Sequence, residues 1–530
     1  MGNKKLQVWL PLIFSMVLIG GMYFGFKLRE STPSGTGFFK ADKKSSLQQI
    51  LDLVKQRYVD PVNTDSLQEN AIDEMMGHLD PHSIYIPPSH LQAVNEDLIG
   101  NFEGIGVEFN IFSDTVHIVH VIADGPSDKA GVQVGDKIIK VNNEPVAGRN
   151  VSSDDIKKKI RGEGGTPVKL TVLRKNEQKE IAITRGTIPI PAIDASYMLD
   201  QKTGYIKLNK FSNTAYEEFM QSLETLQKNK PSNLVLDLRG NGGGLMMEAV
   251  QIADEFLSDD KLVVYTQGAN AERIDYKCRR PGLFEEGDLV ILVDELSASA
   301  SEVLAGALQD WDRAIIVGRR TFGKGLVQEQ YDLSDGSAIR LTVARYYTPL
   351  GRSIQRPYDK GKKVYMDEIW ERFSNGEALY ADSNKISNGK NYVTPAGDTV
   401  YGGGGIMPDR FVPIDTATYP AGINRLFANG SFNSFVYMYY LKNKAQVDQY
   451  TSANEYVQRF NQLNEMWDQF VKYAKKDSVN LDSVTPKQKE TLQKRLEAYL
   501  ARFRWRNEGY FQVLNSDDAV VTKALEELKK

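Results

Sequence analysis

Cysteine is nearly absent: Cys278 is the only one in 530 residues. An intramolecular disulfide is therefore excluded, and no zinc-type Cys/His spacing occurs. Cys278 sits in the polar stretch DYKCRRPG, which reads as loop, so it reads as a bystander rather than a nucleophile. Cysteine scarcity is compatible with an oxidising compartment. Histidine is scarce too. His78, His82, His90, His117 and His120 are the full set, and none lies beyond residue 120. A reaction centre built from the later chain must run without imidazole or take it from the N-terminal part. A surplus of one charge is also missing. The 65 Lys and Arg against 69 Asp and Glu leave a net charge of −4, with both signs interspersed. No basic face points to nucleic acid.

What is present describes an ordinary globular chain, 41% hydrophobic and 25% charged, and one too long for a single core. Residues 1–5 form a tail. Leu6–Phe26, LQVWLPLIFSMVLIGGMYFGF, carries no charge over 21 residues, long enough as a helix to span a bilayer core of ~30 Å. No A-x-A-like site follows it, which favours an uncleaved anchor. Lys4 and Lys5 precede it and Lys27, Arg29, Lys40, Lys43 and Lys44 follow, a count that does not favour an exported C-terminus. Residues 27–43 read as a linker through ESTPSGTG. Residues 44–99 read as helices, with Ser66 three before Glu69 as a capping box. His78 and His82 are four apart, but Pro81 intervenes and no metal site is expected. Residues 100–187 alternate apolar and polar in VHIVHVI, DKIIKVNNEPV, PVKLTVLR and KEIAITR, with SSDDIKKKI as a capped helix: a small β-rich module. Residues 188–414 alternate short apolar runs (GYIKLNKF, NLVLDLRG, DLVILVD, AIIVG) with helical stretches, an α/β core. Residues 415–530 are helical and aromatic. Their stripe reads as packing, and Thr485, Pro486 and Gln488 mark a helix start.

Three stretches could carry chemistry. In LVLDLRGNGGGL, Gly242–Gly244 can turn backbone N–H groups toward a developing anion, or can be a plain tight turn. A dinucleotide fingerprint fails there, because Leu245 stands where glycine is needed. In GRRTFGKG, Gly318, Gly323 and Lys324 satisfy G-x-x-x-x-G-K, but Gly325 replaces the magnesium-binding hydroxyl. In SASASEVLAGAL, a serine at a helix start can cap the helix or attack a carbonyl. Attack needs a base. Lys324, among glycines and apolar residues with no carboxylate in its loop, can be held neutral by burial.

The ordered segments YVDPVNTDSLQENAIDEMMGHLDPHSIY, FEGIGVEF, NLVLDLRGNGGGL, SASASEVLAGALQDWDRAIIVGRRTFGKGLVQ, LTVARYYTPLGRSIQ and GGIMPD cover most of residues 45–415. Together they resemble the carboxy-terminal processing proteases, tail-specific serine peptidases with a Ser–Lys dyad. The resemblance implies a multi-domain α/β (α+β) fold: a crotonase/ClpP-like α/β protease core with an inserted PDZ domain, N-terminal helices and a helical C-terminal extension. It implies Ser299 as nucleophile, Lys324 as base, and Gln328 holding the lysine amine. The oxyanion donors would be the N–H groups of Ala300 and Gly244, with Gly243 second. Ser297 and Ser301 are the competing serines, Ser301 being the better helix cap. In the PDZ module, Gly104, Ile105, Gly106 and Val107 would receive a peptide's terminal carboxylate, with Ile156 and Ile160 lining the groove. No cofactor or metal is implied. The partners expected are unstructured C-terminal tails, the membrane, and a homo-oligomeric copy or regulatory adaptor, without nucleic acid. The placement expected is a single pass through a bacterial inner membrane with the protease domains in the periplasm. The polar stretch at 365–400 and the extension after 415 depart from the family pattern. A catalytically inactive, membrane-tethered PDZ scaffold is the alternative from another class.

Overall fold

The computed structural model describes residues 4–31, 45–258, 260–380, 389–415 and 422–530. Residues 32–44 of the expected linker region and residues 381–388 of the polar stretch lie outside the described residues. The chain divides into Met1–Ile72 and Asp73–Lys530.

The first unit is helical. A helix covers Lys4–Ser31; among its described side chains, Phe14, Leu18 and Phe24 are 65–69% exposed. Among the residues whose side chains are described, no helix is long and apolar enough to cross a membrane; Leu10, Leu12 and Ile13 lie outside that set. Ser45 caps the helix Ser46–Arg57. The helix Thr64–Gly77 starts earlier than its S-x-x-E pattern suggests. Asn63 Oδ1 accepts from the N–H groups of Asp65 and Ser66, so Asn63 is the cap and Ser66 sits inside the helix.

The second unit is built on a six-stranded sheet in the order Ile193–Met198, Thr203–Leu208, Asn233–Asp237, Asp288–Val293, Ile315–Gly318 and Arg410–Phe411. Only the first pair is antiparallel. Alternate side chains serve opposite faces. Leu234, Leu236, Ile291, Val293 and Ile316 pack with the helices Ala215–Gln227, Met246–Asp254 and Ala300–Asp310. Val235, Val290, Leu292 and Val317 pack against Val520, Val521 and Ala524 of the terminal helix Ala519–Glu527. Coverage on both faces explains why these strands read as unbroken apolar runs. It also makes the end of the C-terminal extension part of the protease core. Asp518 caps that last helix (2.9 Å to both Val520 and Val521 N–H) and accepts from Arg239. Arg239 is in turn paired with fully buried Asp237.

A second, antiparallel sheet joins Ile84–Ile86, Ala338–Tyr347, Leu262–Gln267 and Ile274–Lys277, with Leu326–Asp332 also paired to Ala338–Tyr347. The β-rich module forms its own sheet, from Val107–Phe112 at one edge to Glu177–Thr184 at the other. Its helix Ser153–Ile160 carries the Ser152–Asp155 capping box that the sequence indicates. The C-terminal helices enclose a separate aromatic core around Phe432, Tyr456, Phe470 and Leu496. The helix Pro486–Asn515 begins on Thr485 as expected but breaks at Trp505 and Arg506.

Candidate active site

Ser299 lies between the strand Asp288–Val293 and the helix Ala300–Asp310. Its backbone is at φ +56°, ψ −114°. A non-glycine residue seldom holds such a conformation unless its surroundings impose it. The imposing group is Glu302, fully buried, whose carboxylate accepts the Ser299 N–H at 2.9 Å. Ser299 is therefore the N-cap residue, and the expectation that Ser301 caps this helix is corrected. Ser301 lies in the first turn and donates its hydroxyl to the Asn241 carbonyl (2.9 Å). Ser297 is fully buried and donates to the Leu238 carbonyl (2.9 Å). The two competing hydroxyls thus brace the glycine loop.

That loop is held by Asn241. Its Nδ2 donates to the Leu208 carbonyl (3.0 Å), and its Oδ1 accepts the Gly243 N–H (2.9 Å). Gly243 is thereby spent as an oxyanion donor. The N–H groups of Gly244 and Ala300 have no partner among the described residues, and both residues line the cleft. Gly243 has another task. At φ +96°, a Cβ there would lie 2.8 Å from Ser299 Cβ and 2.9 Å from Ala300 N. Gly243→Ala is expected to obstruct the donor and lower kcat by about 10^2-fold, and to lower the thermal melt as well, because the Cβ would also lie 2.7 Å from the Ala298 carbonyl oxygen at a positive φ. A turnover assay beside a melting curve checks this.

Lys324 enters from the other sheet. Its loop leads into the strand Leu326–Asp332, whose pairing slips at Val327/Gln328. A bulge re-aims the side chain at that point. Gln328 Oε1 accepts from Lys324 Nζ at 2.7 Å, and Gln328 Nε2 donates to the His82 carbonyl at 2.6 Å. His82 is fixed by a turn in which Asp80 accepts the N–H groups of His82 and Ser83 (2.8 and 2.9 Å). Burial, helped by the nearby Arg340 guanidinium, lowers the Lys324 amine from its ordinary range to about 8. Asp80 and Glu302 pull the other way.

Glu302 also governs the lysine loop. Besides Ser299, its carboxylate accepts from Thr321 Oγ1 (2.5 Å), Gly323 N (2.7 Å) and Lys324 N (2.9 Å). Tyr346, 2% exposed, donates its hydroxyl to the carbonyls of Ser299 and Lys324. These contacts exclude the phosphate-loop reading of GRRTFGKG. The amides that would cradle a phosphate face Glu302, and Gly325 N–H goes to Gln355 (2.8 Å). Behind the loop, the helix Lys362–Ser374 supplies Arg372, which donates to the Thr321 carbonyl (2.8 Å). The polar stretch that departs from the family pattern thus begins with a buttress of the Lys324 loop.

Ser299, Ala300, Gly243, Gly244, Lys324 and Gln328 line one cleft of about 690 Å³, together with Arg340 and Tyr346. In the β-rich module, Ile105, Gly106, Val107 and Ile160 line a second cavity of about 320 Å³. Gly104 instead pairs with Gly186 in a short ladder. Ile156 is fully buried in the module's core. The helix presents Ser153, Lys157, Ile160 and Arg161 to the groove, so Ile156 is corrected to a core residue. His78 pairs with Glu74 at the surface, whereas His82 turns inward to Tyr365. Cys278 is buried rather than looped out, and burial pushes its thiol up to about 12.

Glu302, Tyr346 and the Asp80–Ser83 turn carry no role in the sequence reading. Glu302 had a signal, since Ser299 and Glu302 form an S-x-x-E pattern. Tyr346 had none, because its partners lie 47 and 22 residues away.

A family model described as peptidase family S41 matches residues 202–361. A PDZ domain model matches residues 117–174, and a family of unknown function (DUF8443) matches 423–506. A carboxy-terminal-processing protease of Bartonella bacilliformis is 35% identical over 312 residues, 58% of this chain and 71% of its own length. A probable CtpA-like serine protease of Staphylococcus aureus is 35% identical over 323 residues, 60% of this chain and 64% of its own. Among solved structures, a photosystem II D1 C-terminal processing protease aligns over 59% of this chain and 84% of its own, at 31% identity and TM-score 0.34.

Proposed function

We propose, for a chain that belongs to the carboxy-terminal-processing protease family of serine peptidases, that it is an endopeptidase cleaving exported proteins near their C-termini. The observation that carries this is the convergence of Ser299, Lys324 and the unpartnered Gly244 and Ala300 amides on one cleft. Neutral Lys324 takes the Ser299 proton as Oγ attacks the scissile carbonyl. The oxyanion forms at Gly244 and Ala300 N–H. The lysine ammonium then gives that proton to the leaving amine, which departs with the C-terminal fragment. Lys324 next takes a proton from water, hydroxide adds to the acyl ester, and the ammonium reprotonates Ser299 as it leaves.

The PDZ module recruits the tail. Val107–Phe112 is an edge strand, paired only with Thr115–Val121, and can take a peptide as a further strand. Ile105 and Gly106, whose N–H groups have no partners among the described residues, line the cavity in which its carboxylate would sit. The charge-free stretch Leu6–Phe26 supports a membrane anchor; placing the catalytic domains in the periplasm of a bacterial inner membrane rests on the family resemblance alone.

The test is cleavage of a folded protein bearing an unstructured apolar tail, with product masses read by mass spectrometry. Amidating the tail's C-terminus is expected to lower kcat/KM by about tenfold through the lost carboxylate contacts. Absence of cleavage in either form would remove the proposal; equal cleavage of both would remove the tail recognition.

A further inference from the structure

The helical C-terminal region, matched to a family without assigned function, walls the PDZ groove. Its residues Asn433, Tyr499, Arg502, Phe503 and Arg506 line the same cavity as Ile105, Val107 and Ile160. The region is bound to the module rather than merely adjacent: Tyr437 donates its hydroxyl to the Ile118 carbonyl (3.2 Å) and stacks on Phe112 (centroids 5.3 Å apart).

One feature of this wall looks outward to a ligand, and it is charge. The cavity lining holds Lys157, Arg161, Arg502 and Arg506 against one carboxylate, Glu108. Arg161 and Lys157 have partners outside the lining, Glu96 and Asp154. Arg502 and Arg506 share Glu108 between them, and Asp194, outside the lining, lies within electrostatic reach of Arg502; within the lining itself the guanidinium groups outnumber the carboxylate. The 30-residue helix Pro486–Asn515 breaks where Arg506 takes φ +55°, ψ −146°, a conformation that the surroundings must impose.

We propose that this region is a second reader of the substrate tail: Arg502 and Arg506 select a peptide with an apolar last residue preceded, within a few positions, by an acidic side chain. The apolar end sits among Ile105, Val107 and Ile160, and the acid replaces or joins Glu108 at the two arginines. The inference rests on the tail-binding reading above.

The experiment uses the full chain carrying Ser299→Ala, so that bound peptide survives, and fluorescein-labelled decapeptides ending in valine. One series carries glutamate at the third to fifth position from the end, the other glutamine there. Anisotropy titrations are expected to show the glutamate peptides binding about tenfold more tightly, with the advantage shrinking as salt rises. Arg502→Gln and Arg506→Gln should abolish the advantage and leave the glutamine peptides unchanged; Glu108→Gln, which removes the competing carboxylate, should enlarge it. Equal binding of the two series, or an arginine variant that weakens both alike, would overturn the selection. Binding of neither series would overturn tail recognition itself, and the selection with it.

Discussion

Lys324→Arg and Ser299→Ala will each reduce cleavage by at least ~10^4-fold, and kcat/KM of the unsubstituted protein will rise with pH through a midpoint near 8. The two losses have different causes. Alanine removes the attacking oxygen. Arginine keeps the positive charge but cannot yield its proton near neutral pH, so it cannot serve as a base. The sign of the pH dependence follows from the same chemistry. Below the midpoint the lysine is an ammonium with no lone pair, and activity falls about tenfold per pH unit as the neutral fraction shrinks. Above it the amine is neutral and the rate levels off. His82 does not produce this limb: burial, reinforced by the positive charge of Lys324, holds its imidazole at about 3. Arg340 depresses the lysine, so Arg340→Gln should move the midpoint upward. A flat profile between pH 6 and 9, or an active arginine variant, would show that another group takes the proton.

The residues proposed to carry covalent chemistry stood out in the sequence because they sit in short ordered motifs whose chemistry has few substitutes: small serines at a helix start, and a lysine between glycines. The core strands were visible because burial on two faces leaves apolar runs. What stayed hidden is held by distance in the chain. The Asn241 side chain takes the Gly243 amide only because the loop folds back on itself, and glycine composition cannot say which N–H is left over. Ile156 and Ile160 look equivalent at helical spacing. Both join the module's core, and only Ile160 also reaches the groove. The role of the last helix as a cover for the protease sheet needed contacts between residues more than 200 positions apart, such as Val521 with Val290 and Leu292. The arginines of the groove wall were concealed in a segment whose aromatic residues signal packing alone.

Glu302→Gln is the substitution in which stability and catalysis should separate. The carboxylate receives four donors, one from the nucleophile and three from the loop of the base. Burial raises its carboxyl, and those four donors pull it back. An acceptor-only group suits this site, because an amide must point its NH2 at N–H groups that are already donors. At least one buried donor is then unmatched, at a cost of about 1–3 kcal/mol, and the thermal transition of the protein should fall. Catalysis should suffer more, on the order of 10^3-fold in kcat, since Ser299 loses the contact that holds φ at +56°. Loosened packing alone would also lower kcat, so the pH profile is the deciding measurement. The Glu302 charge raises the Lys324 amine, and its removal should shift the acid limb of whatever activity remains below 8. Glu302→Asp keeps the charge and shortens the reach; it should leave the midpoint in place while kcat still drops. A midpoint that stays fixed in Glu302→Gln would mean that the carboxylate braces the loops without tuning the amine they bring to the serine.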